Sequence, residues 1–178
     1  MANKIDKLED IELFLADIVC DMVGLDQENV LIQYPTEGQP SFDIDQDICF
    51  VKVAQEIDER DIYKIRKMIY NKNNDNFDYK QYSQRTLNAH FIFYGSNCYE
   101  LCKLLNESFY FPNFEYIINN NNLYLVPDRT VGPNRVPELY NGRWWQRSDL
   151  ELRFYNSVIV ETTVDRIVEA DIRLEADT

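Results

Sequence analysis

NGRWWQRSDLELRFYNSV, residues 141–158, alternates along its length. One set is Trp145, Arg147, Asp149, Glu151, Arg153 and Tyr155; the other is Trp144, Gln146, Ser148, Leu150, Leu152 and Phe154. Successive side chains of a β-strand point to opposite faces. A period of two therefore predicts a strand with a mostly apolar back, a front of mixed charge and two indoles at its start. Such a strand needs partners, and the rest of the chain supplies them.

Working upstream, YSQRTLNAHFIFYG (82–95) alternates just as strongly, and DICFVKVAQEID (47–58) is apolar on much of both sides. Both read as strands of one sheet. DERDIYKIRKMIYNK (58–72) fits strand or helix; an antiparallel neighbour for 82–95 favours strand. The Asn/Asp-rich NKNNDNFDYKQY (71–82) suits an exposed hairpin tip. NVLIQYP (29–35) reads as a short strand, followed by a loop with Gly38 and Pro40. Ile5, Leu8, Ile11, Leu15, Ile18, Val19 and Met22 form a helical stripe, with Gly24 as the stop. A second helix is expected from Cys98 to Phe109, with Ser96 or Asn97 as N-cap and Pro112 blocking continuation. EYIINNNNLYLVP (115–127) is expected to form a short hairpin around the Asn run. DRTVGPNRVPELYNGR (128–143) is expected to be a long loop. Residues 158–174 alternate again, as two strands or as one long strand leaving the body of the domain. The order of elements predicts an α+β fold, one domain over 1–178. A mixed or antiparallel sheet is flanked by two helices, with a long C-terminal β-hairpin.

Composition narrows the function. The 178 residues carry 18 basic and 31 acidic side chains, a net charge of −13. That field disfavours generic binding to nucleic acid or anionic membranes. No run approaches the length of a membrane span, and no secretory pattern opens the chain. The four cysteines, at 20, 49, 98 and 102, have only His90 as a conceivable metal co-ligand, so all four are expected as reduced thiols. His90 stands on the strand face opposite Leu87, Ala89, Phe91 and Phe93, with no nucleophile motif near it. Asp43, Asp45 and Asp47 resemble half a calcium loop without its glycine and final glutamate. With only 5 glycines and no phosphate-binding loop, no cofactor, metal or catalytic residue is assigned.

FYGSNCYELCKLL followed by VPELYNGRWWQRSDLELRFYNSV resembles the tail terminator proteins of long-tailed phages. In that family an aromatic–Tyr–Gly step enters the second helix, and a Trp-x-Arg-x-Asp-Leu strand enters the final hairpin. Tyr94–Gly95 matches the first element; Trp145, Arg147, Asp149, Leu150 and then Phe154 match the second. Ser96 stands where family members often have Pro. The resemblance implies a homo-oligomer, a hexameric ring in the virion neck, made in the bacterial cytoplasm. It would cap the tail tube protein, end tube growth and join the head-completion (stopper) protein, with DNA only passing through. It also makes Trp144, Trp145, Arg147, Asp149, Glu151, Arg153, Arg129, Arg135 and Arg143 the expected subunit or tube interface, with the tip at 71–78 as a second contact. Alternatives left open are a stopper protein, a peptide-binding adaptor and a small hydrolase using acids around His90.

Overall fold

The structure is a computed structural model. It describes residues 6–33, 42–73, 75–127 and 132–165, without the side chains of Arg60 and Asp165. Ile5 of the helical stripe, Gly38 and Pro40, Arg129 and the strand expected beyond Asp165 lie outside the described residues.

Three helices accompany nine strands among the described residues: α1 (Leu8–Val23), β1 (Val30–Ile32), β2 (Ile48–Glu56), β3 (Ile65–Asn71), β4 (Asn76–Tyr94), α2 (Cys98–Ser108), α3 (Pro112–Asn120), β5 (Leu123–Leu125), β6 (Asn134–Arg135), β7 (Glu138–Tyr140), β8 (Arg143–Trp145) and β9 (Arg147–Asp165). The fold is α+β, built on a mixed sheet. β1 joins β2 in parallel; every other pairing is antiparallel.

The spine is the ladder between β4 and β9, which stay in register over all 19 positions from Tyr94↔Arg147 to Asn76↔Asp165. Of the two alternatives for the C-terminal alternation, the single strand holds as far as Asp165. On the other edge of β4, β2 takes Thr86–Tyr94 and β3 takes Asn76–Tyr82. A short 3-10 turn at Glu59–Ile62 makes the switch, and Asp61 is tied to Thr86 through its N–H (3.4 Å) and hydroxyl (3.2 Å).

Alternation places Leu87, Ala89, Phe91 and Phe93 of β4, Cys49, Val51 and Val53 of β2, and Leu150, Leu152 and Phe154 of β9 on one face. The α1 stripe and Cys98, Cys102 and Leu105 of α2 close over that face as one hydrophobic core. Gly24 ends α1 in the left-handed region, its N–H bonded to the Cys20 carbonyl.

Three expectations change. The tract expected as a hairpin around the Asn run is helix α3 as far as Asn120 and strand β5 from Leu123: Pro112 ends the preceding turn but sits at the first helical position, where its missing N–H costs nothing. The expected loop at 128–143 contains β6, β7 and the start of β8 within its described part. Asn97 does occupy the N-cap of α2, yet its side chain does not cap. Asp47 does so instead, accepting the Asn97 N–H at 2.9 Å and its amide at 2.7 Å.

The core ends in a polar plug. Asn156 is fully buried; its amide donates to Asp6 Oδ2 (2.9 Å) and to the Asn122 carbonyl (2.9 Å), and it accepts from Arg85 Nε (2.7 Å). Arg85 also donates to the Asp6 carbonyl, and the Asn122 amide reaches Asp6 Oδ2 at 2.7 Å. Burial lowers the Arg85 pKa, opposed by Asp6. Asn156→Leu keeps the volume but strands these partners. Urea titration is expected to show a loss of about 2–3 kcal/mol, the cost of orphaning buried polar groups.

Candidate functional site

Beyond the plug the sheet continues as a three-stranded arm of β3, the first half of β4 and the second half of β9. No described side chain in it is buried. Register puts Met68, Tyr70, Phe77, Tyr79, Val160 and Val164 on the face that carries the core in the body of the sheet. The opposite face has Ile65, Tyr82 and Ile159 in one row and Lys67, Lys80 and Glu161 in the next, where Lys80 and Glu161 pair at 2.7 Å. The turn at the far end is the expected tip, shorter than 71–78 because β4 already begins at Asn76; Asn74 lies outside the described residues.

The charged front of β9 lies on the sheet face opposite α1 and α2, and its charges are mostly answered within the chain. Arg147 binds Asp149 bidentately, with Nε and Nη2 both at 2.8 Å, and Glu138 through Nη1 at 3.1 Å. Its guanidinium lies 5.8 Å from the Tyr94 ring centre, and the Tyr94 hydroxyl donates to Glu138 at 3.0 Å. The bond to Asp149 raises the Arg147 pKa despite partial burial. Arg153 Nη2 is 2.9 Å from Glu56 Oε2, an ion pair not aligned as a hydrogen bond. Glu151 lies 3.7 Å from His90 Nδ1.

The indoles part company. Trp145 is half-buried in an aromatic cluster, edge-on to Phe42 (5.4 Å), Tyr94 (6.3 Å) and Tyr140 (6.0 Å). Trp144 is 64% exposed. Arg143 is exposed beside it. Arg135 is exposed too, 5.9 Å from the Tyr99 ring centre and 3.4 Å from Gln146 Oε1. The structure thus gathers Trp145, Arg147 and Asp149 into one cluster and leaves Trp144, Arg143 and Arg135 facing out.

Two features escaped the sequence reading. The β7–β8 hairpin turns on Asn141 (φ 50°) and Gly142 (φ 74°). An Asn-Gly pair is a strong two-residue hairpin signal and was there to be read. The bare arm face had no such signal, since alternation does not tell what covers a strand.

A groove of about 680 Å³ runs along the front, lined in part by Lys52, His90, Arg147, Asp149 and Glu151. Among the described residues its lining holds no Ser, Thr, Tyr or Cys side chain, and it brings His90 together with Asp149 and Glu151. All four cysteines are free thiols. No described helix is long and apolar enough to cross a membrane.

Burial pushes the Tyr94 hydroxyl up to about 12, assisted by Glu138 and opposed by Arg147; burial also carries the Cys102 thiol to about 12, opposed by Ser148. Both groups hold their protons in the folded chain after the unfolded chain has released them. Their stabilisation is intact below the unfolded values near 9 and 10 and is lost as pH rises towards 12. The melting temperature is expected to fall steadily from pH 9 to 12 in a scanning-calorimetry series; a flat profile would contradict these environments.

No curated protein matches this chain. The family model described as phage neck terminator protein matches residues 9–177, a span that takes in the core, the arm and the whole β4–β9 ladder. On that match the chain belongs to the phage neck terminator family.

Proposed function

We propose that this chain is a non-catalytic protein of the virion neck, one domain over residues 1–178. Six copies form a ring that seats on the last ring of tail tube protein, stops tube growth and receives the head-completion (stopper) protein. The family match over residues 9–177 carries this reading. The bare arm and the exposed Trp144 hairpin support it, as surfaces of the kind that interfaces use. The net charge of −13 suits a lumen through which DNA slides without adhering.

The nine residues expected at the interface divide by environment. Arg135, Arg143 and Trp144 are exposed and are the contacts proposed to meet tube or neighbour, together with Arg129, which lies outside the described residues. Glu151 is also exposed, beside His90. Trp145, Arg147, Asp149 and Arg153 act first within the subunit, setting the shape from which those contacts project.

Tube growth in vitro tests the reading. Purified full-length chain added to polymerising tail tube protein is expected to halt elongation and leave short tubes with one capped end in negative-stain images. Tube lengths that do not respond to the chain would overturn it.

A further inference from the structure

The apolar face of the arm begins where the body of the protein has already closed. At the Arg85–Asn156 row the polar plug seals the core. Past it, Met68 (57% exposed), Tyr70 and Val164 are exposed on one face, with Phe77 and Tyr79 of the central strand between them and Val160 further along β9. The seven positions of β3 make this bare ribbon about 20–25 Å long. Among the described residues nothing packs over either face of this ribbon, and an exposed apolar surface of that kind marks an interaction site.

Charge identifies what covers it. The β3–β4 hairpin, residues 64–82, has five basic and two acidic residues, against 13 basic and 29 acidic in the remaining chain; of the hairpin's bases Lys67 and Lys80 lie on the opposite face, Lys80 paired with Glu161. Arg66, on the apolar face in register with Gln81 and Val160, has no ion-pair partner among the described residues. An acidic surface on the same molecule is the outer side of α1; residues 6–28 hold eight acids and one base. There Asp10 and Asp17 flank Leu13, which is 56% exposed, Asp21 follows one turn on, and no base sits in the last turn. Asp17 and Asp21 repel at i,i+4, and Asp21 in the last turn opposes the helix dipole, an arrangement that an outside cation relieves.

The chain's own arm cannot supply that cation. Asp6 fixes the start of α1 at the root of the arm, and Glu12 accepts the Val53 N–H at 2.9 Å, deeper in the body. Asp17 and Asp21 therefore lie about 16–22 Å from that root, on the side away from the arm.

We propose that the helix-side face of the arm docks on the acidic outer side of α1 in a second copy of this chain. A contact between two different patches repeats head to tail, and it closes into a ring where the rotation between successive copies returns to the start. The inference rests on the ring reading above and names the surfaces that make the ring.

Inter-copy cross-linking of two full-length variants tests it. Met68→Cys and Asp17→Cys chains, mixed and oxidised, are expected to give a disulfide-linked heterodimer that neither variant forms with the unsubstituted chain. Arg66→Glu is expected to raise the concentration needed for assembly about tenfold or more, and Asp17→Arg in the same chain to recover most of it. Unchanged thermal melting confirms that both variants fold. A closed oligomer without the arm–α1 cross-link, or without recovery in the paired variant, overturns this docking and leaves the ring reading standing. A chain monomeric both alone and with tail tubes overturns both.

Discussion

Gly95→Ala is expected to leave little folded protein, with a loss of about 3–5 kcal/mol in any that survives, measured by urea unfolding. Gly95 has φ +109°, where an L side chain is strained. An added Cβ would also strike the Asp47 carboxylate and come within 2.7 Å of both the Asp47 Cα and the Gln46 carbonyl oxygen. Two of these are backbone atoms and cannot swing aside. Asp47 is there because it caps α2 through Asn97, so moving it uncovers the helix start as well. The Tyr94–Gly95 step is thus the point where β4 is allowed close enough to the 46–47 segment to be followed by a capped helix. Ser96→Ala, one residue on and exposed, is the control and is expected to change stability by less than about 0.5 kcal/mol. Near-native stability for Gly95→Ala would contradict this account of the step.

Arg147→Glu is expected to destabilise the isolated subunit by about 2–4 kcal/mol, before any question of assembly arises. The substitution removes both bonds to Asp149 and the bond to Glu138, and places a third carboxylate between them under the Tyr94 ring. Arg147→Lys retains the charge without the bidentate geometry and is expected to cost about 1–2 kcal/mol. Urea titration of both variants checks the order. A native-like Arg147→Glu subunit that fails only in assembly would mean that the arginine works between copies instead. For that reason loss of assembly at Arg147 or Asp149 is poor evidence of an interface, and Trp144→Ala and Arg143→Glu, both exposed, are the better probes.

Much of the architecture was legible because hydrophobic period is a local property. The stripe Leu8–Met22 became α1, and the alternation around Phe91 and around Leu152 became the two long strands. The polar run after Asn71 became a turn, with β4 resuming at Asn76. Pro112 misled because proline stops one helix and starts another with equal ease; only its position relative to Phe111, which is extended at φ −77° and ψ 135°, decides between them. The candidate site was legible by residue and less so by role. Trp145, Arg147 and Asp149 do share a face as alternation required. Their partners Glu138 and Phe42 come from a hairpin and a segment whose approach no spacing rule encodes. The open question between terminator and stopper was not a matter of residue pattern at all; the family match names the terminator.

The most direct test of the central claim is cryo-electron microscopy of the neck of an intact virion carrying this chain. The account predicts six copies in one ring on the last ring of the tail tube, with the β4–β9 ladder recognisable in each copy and DNA or open space on the axis. Density for this chain in the capsid or at the distal tip of the tail, or its absence from the particle, would contradict it.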